Sequence, residues 1–430
     1  MGEDAKTRMP RLAFGLALFA ITLLLVIIRP RRISEAIFAL GGGALMIAGG
    51  FVAPAQAWVI LLGEWNVYGF FLGLMTIAAI AEQAGIFEAL ALLAARWARG
   101  DARRLYLAVF LVGMGIAAFL SNDATALILT PVVYALVTRL RLRALPFMFA
   151  CTFIADTASF LLPVSNPINI IVLSAFGGGL GEFLRYLLLP AAFCIAFNIA
   201  IFFWLFRRDL RYSYDISRLE AIPAARGFFR FTIIALSIIC VGYVAGSLAQ
   251  IPLSFISLGG SALLLAGAQF YHKLDPRRLG SDISWSLFGF ITGLFILVRG
   301  IENLGVTAAL GQGLVRIASV GALPAVLATA FGTAIGANII NNVPMALVMV
   351  STLRGTAASA GIHQGLIYAT IFGADLGPNL TTIGSLATML WLLILRRKGL
   401  DISTMEYIKL GITIVPVMLL AGALLIWLRL

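Results

Sequence analysis

The sequence predicts an all-α membrane protein of about ten transmembrane helices in two inverted five-helix repeats, each with a re-entrant hairpin and a discontinuous helix. Three observations predict it. Hydrophobic residues make up 61% of the 430-residue chain and charged residues only 12%, whereas a soluble domain is about half apolar and a quarter charged. The apolar residues fall in runs long enough to cross a bilayer, which takes about 20 residues per helix. Polar and glycine landmarks recur in order about 220 residues apart, the mark of an internal duplication.

The net charge of +12 reads as topology and not as a nucleic-acid surface. Basic residues sit in short runs between apolar stretches, with no Lys/Arg-rich tail and no basic-aromatic patch. Cys151, Cys194 and Cys240 lie singly in apolar segments and read as small apolar filler, not as a disulfide framework or zinc site. A thiol site for a soft metalloid would need two or three sulfurs in one place. His272 and His363 match no metal-binding pattern, so neither a metal site nor a cofactor is expected. Lys6, Arg8 and Arg11 precede an apolar run that continues into Arg29-Pro30-Arg31-Arg32. With no small-residue cleavage site, this reads as a retained first helix, not a signal peptide.

Ten spans are expected at roughly 11–28, 33–53, 65–84, 147–176, 184–206, 231–249, 252–271, 284–304, 363–394 and 408–428. The stretch 105–138 is too long for one helix and has Ser121-Asn122-Asp123 at its middle. Arg96, Arg99, Arg103 and Arg104 precede it, and Arg139, Arg141 and Arg143 follow it. Basic flanks on both sides place both ends at the cytoplasm, so a re-entrant hairpin is expected, its polar tip tolerated only inside protein or a wet cavity. The alternative is two full spans joined by a polar turn. This arrangement puts most of the 31 Lys and Arg residues on one side, with both termini outside.

Leu40-Gly41-Gly42 is answered by Leu258-Gly259-Gly260, Trp65 by Trp285, Gly73-Leu74 by Gly293-Leu294, Glu82 by Glu302, Asn122 by Asn342 and Ala155-Asp156 by Ala374-Asp375. Five spans per copy, an odd number, inverts the second copy. The expected organisation is a first repeat over 1–206 (hairpin 105–138, broken helix 147–176), a cytoplasmic linker over 207–230, and an inverted repeat over 231–430 (hairpin 324–353, broken helix 363–394). Inverted repeats with discontinuous helices are the architecture of secondary transporters, with substrate bound near the midplane. The segments 86–99 and 306–319 read as amphipathic connecting arms, and Arg299 and Glu302 as an i, i+3 pair.

Four polar clusters occupy matching places. They are Ser121-Asn122-Asp123; Asn338 with Asn341-Asn342 and Pro344; Asp156-Thr157 through Pro163, Ser165-Asn166-Pro167 and Asn169; and Asp375 through Gly377-Pro378-Asn379, Thr381-Thr382 and Ser385. Proline lacks an N–H and clashes with the preceding turn, so the last two clusters are expected to break their helices and free backbone groups for binding. An ionised carboxylate at mid-membrane costs about 2.5–3.5 kcal/mol even on the lenient scale. No Lys or Arg lies in these clusters, and burial without a cation favours the neutral acid. Asp123, Asp156 and Asp375 are therefore candidate proton carriers; the alternative is helix capping at the breaks. Ser121, Asn122, Asn166, Asn169, Asn341, Asn342, Asn379, Thr381, Thr382 and Ser385 are the candidate substrate-binding groups.

In these stretches the chain resembles the ArsB-type arsenite/antimonite permeases of the ion transporter superfamily. The resemblance lies in residues 119–131 (FLSNDATALILTP), 155–159 (ADTAS) with Ser165-Asn166, 341–345 (NNVPM) and, longest and most specific, 373–391 (GADLGPNLTTIGSLATMLW). With span order it covers nearly the whole chain. Ser121 stands where the family has a small apolar residue, and Pro167 where an aliphatic is common. The resemblance implies export of arsenite or antimonite in exchange for protons at the inner (plasma) membrane of a bacterium or archaeon, and association with a soluble ATPase subunit. The expected partners are thus metalloid hydroxides, protons and lipid, and no nucleic acid. A neutral trihydroxide is all donors and acceptors, which suits Asn, Ser and Thr better than a charged cage. Sodium/proton or sodium-coupled anion carriage within the superfamily is the alternative, but sodium–carboxylate relatives have Thr where Asp123 stands. An intramembrane aspartyl protease using Asp156 and Asp375 is a remote reading, since Gly373-Ala374-Asp375 only loosely matches the GxGD motif.

Overall fold

The computed structural model describes residues 3–28, 30, 33–219, 227–356 and 358–430. The first half runs through α1 (Glu3–Ile28), α2 (Glu35–Ala48), α3 (Pro54–Gly63), α4 (Trp65–Gln83), α5 (Ile86–Trp97) and α6 (Ala102–Phe119). There follow a short α7 (Asn122–Ala124), a π-helical turn (Thr125–Leu129), α8 (Thr130–Arg139), α9 (Ala144–Thr157), a 3-10 turn (Pro163–Ser165), α10 (Pro167–Phe176) and α11 (Leu180–Leu205). The second half has α12 (Gly227–Leu248), α13 (Leu253–Phe270), α14 (Pro276–Asp282), α15 (Trp285–Asn303), α16 (Val306–Val320), α17 (Ala322–Ile340) and α18 (Asn342–Arg354). It ends with α19 (Ala360–Leu376), a 3-10 turn (Gly377–Leu380), α20 (Leu386–Arg397) and α21 (Thr404–Trp427).

Among the described residues, nine helical stretches are long and apolar enough to cross a membrane. Seven coincide with expected spans. The differences have local causes. The span expected at 33–53 yields only the 14-residue α2, which stops at Gly49; a new helix starts at Pro54, where proline suits a first turn. The segments 147–176 and 363–394 are each split into two short helices by their Pro- and Gly-containing turns. In their place the first hairpin legs, α6 and α17, qualify by length and composition. Apolar composition cannot distinguish a hairpin leg from a full span.

Both hairpins form. After Ser121 the chain doubles back on α6, where Thr125 Oγ1 donates to the Gly113 carbonyl at 3.4 Å. In the second hairpin α18 returns along α17, bringing Met345 against Gly336. The two tips are built differently. Ser121 caps its turn by accepting from Ala124 N at 3.0 Å, whereas Asn341 takes a positive φ of 75° with ψ 156°.

The halves cross reciprocally. α2 packs on α15 and α4 on α13. A side chain at Gly293 would collide with the backbone of Ala39, and one at Gly73 with that of Ser257. Small residues let helix backbones approach closely where lipid supplies no hydrophobic drive to associate. Arg299 pairs with Glu302 at 3.2 Å as their spacing predicts.

The described part of the 207–230 segment is tied to the first half: Ala102 N donates to Tyr212 O at 3.3 Å and Tyr214 N to Gly100 O at 2.9 Å. Residues 220–226 lie outside the described residues, and α12 already begins at Gly227. Arg29, Arg31 and Arg32 of the first expected basic run also lie outside them.

Candidate functional site

The polar clusters meet where the hairpin tips and the two broken helices converge. α9 ends at Thr157, one residue after Asp156, and α19 ends at Leu376, one residue after Asp375. The helix after each break starts on a capping side chain. Asn166 Oδ1 accepts from Ile168 N at 3.0 Å, and Ser385 Oγ accepts from Thr388 N at 3.1 Å. These caps satisfy some of the N–H groups a new helix leaves open. The capping role weighed for the acids thus falls to an Asn and a Ser, which leaves the carboxylates for other work.

Asp156 and Asp375 are 2% and 1% exposed. Each is held through one oxygen by an asparagine amide. Asn122 Nδ2 donates to Asp156 Oδ1 at 3.4 Å, joining the first hairpin tip to the first break. Asn166 Nδ2 donates to Asp375 Oδ1 at 2.8 Å, joining the two breaks. In both acids Oδ2 is buried and has no partner within the protein. Among the described residues no Lys or Arg forms an ion pair with Asp123, Asp156 or Asp375. Asp156 lies within electrostatic reach of both other acids. Asp123 is less enclosed and lines a cavity of about 200 Å³ together with Ser121, Pro167, Glu82 and Asp282.

The remaining candidates divide. Asn341 Nδ2 is buried and unpartnered, so the second tip presents a free donor. Asn342 is used structurally: its N–H reaches Gly384 O at 3.1 Å, tying the second tip to the second break, and its Oδ1 accepts from Val343 N at 3.0 Å. Asn169 braces the first break by donating to Ser159 O at 2.8 Å and Leu162 O at 3.2 Å. Thr381 Oγ1 donates to Asn338 Oδ1 at 2.7 Å, and Asn338 Nδ2 reaches Gly377 O at 2.7 Å. Thr382 is buried beside them. Asn379 donates to Thr157 Oγ1 at 3.4 Å and Phe153 O at 3.3 Å.

Two residues escaped the sequence reading. Asn198 of α11, fully buried, donates to Thr157 Oγ1 at 2.7 Å. Tyr407 of α21 donates to Asn379 Oδ1 at 3.4 Å. A lone amide inside the 26-residue apolar α11 was a readable signal, since polar groups in membrane helices seek one another. Tyr407, near a helix start, carried none.

An all-helical chain with these spans, two hairpins and two polar breaks is a multi-pass membrane transporter. Its residues 14–428 match the family described as "Arsenical pump membrane protein", and the chain belongs to that family. It is 35% identical over 403 residues to the arsenical pump membrane protein of Yersinia enterocolitica, covering 92% of this chain and 94% of that one. The corresponding protein of Escherichia coli strain K12 is 34% identical over 402 residues, with the same coverages. Among solved structures, the YdaH transporter of Alcanivorax borkumensis superposes with a TM-score of 0.53 at 14% identity, covering 87% of this chain and 88% of that one. That likeness concerns the fold.

Proposed function

We propose that this protein exports trivalent arsenite or antimonite, as the neutral trihydroxide, from the cytoplasm in exchange for protons. Family membership supports the metalloid. The observation that carries the mechanism is the pair Asp156 and Asp375, each buried, uncompensated by a cation and holding one oxygen free. A buried acid without a counter-charge is most stable when protonated. Once the solute has left, such an acid can take up a proton and carry it back across the bilayer as a neutral group. The amides of Asn122, Asn166 and Asn341 and the hydroxyls around the second break supply donors and acceptors for three As–OH groups.

In this reading the halves are inverted copies, and each hairpin moves with the broken helix behind it past the α2/α15 and α4/α13 scaffold. Solute leaves to the outside as protons are taken up there, and protons are released inside. The basic ends face the cytoplasm of a cell bounded by this inner membrane, and a soluble ATPase subunit would act from that side.

Everted membrane vesicles energised by respiration or an imposed proton gradient test the proposal. Arsenite should accumulate, and a protonophore should abolish accumulation while sodium replacement leaves it unchanged. Accumulation that follows the sodium gradient, or that survives collapse of the proton gradient, would overturn the coupling.

A further inference from the structure

Two cavities approach the first broken helix. The one containing Asp123 is bounded by α4 from Phe71 to Glu82 and by Pro167. The other, of about 280 Å³, is bounded by Asn66 near the start of α4, by Pro163, Ile170 and Ser174, and by the α12–α13 turn. Along α4 the lining passes from one cavity to the other between Asn66 and Phe71, about 7.5 Å at the helical rise of 1.5 Å per residue. On the first broken helix Pro167 lines the first cavity, while Pro163 before it and Ile170 after it line the second. Within these intervals Val67 and Val164 are buried and line neither cavity.

The second cavity lies at the membrane face opposite the basic segments. In the expected topology the α12–α13 turn that bounds it is external, and no Lys or Arg occurs in 231–270; on the α10–α11 side Arg185 is the first. No titratable side chain lines it. Two of its lining residues are bonded to each other: Asn66 Nδ2 donates to Ser174 Oγ at 2.9 Å and so joins α4 to α10. The other end of that amide, Asn66 Oδ1, is buried without a partner. Ser247 and Gln250 add a second hydroxyl and a second amide to a lining that is otherwise apolar or glycine and carries no charge. Such a lining can satisfy a small hydroxylated solute but gives a proton no group to titrate.

We propose that this cavity is the external release vestibule for a small uncharged polyhydroxy solute, gated by the Asn66–Ser174 contact, with Asn66 Oδ1 accepting a hydroxyl of the departing molecule. The proposal rests on the export reading above.

Single-cysteine proteins, with Cys151, Cys194 and Cys240 replaced by Ala, test it. Ser174→Cys should react with a membrane-impermeant maleimide in intact cells, and Ala78→Cys, which lines the Asp123 cavity, several-fold faster in everted vesicles than in cells. Ser174→Cys reacting only from the cytoplasmic face would overturn the assignment. In a second arm, the Asn66→Cys/Ser174→Cys pair is oxidised to a cross-link; export should fall several-fold against the reduced sample of the same protein. Equal export in both forms would overturn the gate. The two arms separate the readings: wrong-sided labelling with intact arsenite export sinks the vestibule alone, whereas correct labelling without arsenite export sinks the substrate.

Discussion

Asn166 donates from Nδ2 to Oδ1 of Asp375 at 2.8 Å, across 209 residues of sequence. The donor caps the helix after the first break, and the acceptor sits at the end of the helix before the second. One side chain thus both starts a helix and orients the acid of the other half. Asn166→Ala should remove both contributions. A hydrogen bond is worth about 0.5–1.5 kcal/mol to a neutral group and about 1.5–3 kcal/mol to a charged one, or roughly 2- to 150-fold across the two protonation states. Initial rates of arsenite uptake into everted vesicles should drop by an amount in that range, and Asn166→Ser, which retains the cap, should recover stability in thermal melts but not rate.

The three acids should separate by substitution. Asp156→Asn and Asp375→Asn keep the shape of a buried, singly bonded group while fixing it neutral, so proton-coupled accumulation should vanish in both, read by a pH-sensitive dye on vesicle addition of arsenite. Asp123 lines an open cavity and makes no side-chain hydrogen bond to the other acids; Asp123→Asn should slow accumulation without abolishing it. Full coupling in both Asp156→Asn and Asp375→Asn would remove the acids from the mechanism.

Asn341 combines φ 75° with ψ 156°, a region nearly reserved for glycine, where a side chain costs about 1–3 kcal/mol. Asn341→Gly should relieve that strain and melt at a higher temperature than Asn341→Ala. Both lose the free Nδ2 donor, so both should raise the KM for arsenite several-fold. A wild-type KM in Asn341→Gly would show that the strained tip serves only to turn the chain.

Gly293→Val should prevent folding of the scaffold, because the added side chain meets the Ala39 backbone, which cannot yield. The cost should reach about 3 kcal/mol or more, at the upper end for overpacking. Gly73→Val should behave alike against Ser257. Gly41→Ala, with open space around it, should elute from size exclusion as the parent does. A monodisperse Gly293→Val peak of normal height would contradict the close crossing of α2 and α15.

The breaks at Pro163–Pro167 and Gly377–Pro378 were legible because proline cannot continue a helix and the effect is local. Composition alone makes α6 and α17 look like any other crossing helix; the polar residues at 121–123 and 341–342, and the basic flanks of the first stretch, are what point to a reversal, which the structure places after Phe119 and Ile340. Among the candidate binders, Asn342 and Asn169 also brace backbone, while Asn169 Oδ1 stays buried without a partner; an amide can satisfy either a solute or a carbonyl, and its residue type does not say which.

By itself the sequence determined that this chain lives in a bilayer, that the helices carrying Asp156 and Asp375 break, and that these acids lie at the breaks. Those properties depend on burial cost and on backbone chemistry within a few residues. Only the tertiary structure decided that Asn166 meets Asp375, that Asn198 and Tyr407 brace the turns, and that two cavities stop a few residues apart. Such pairings are set by how helices distant along the chain pack, and hydrogen bonding between them leaves no periodic trace in the sequence.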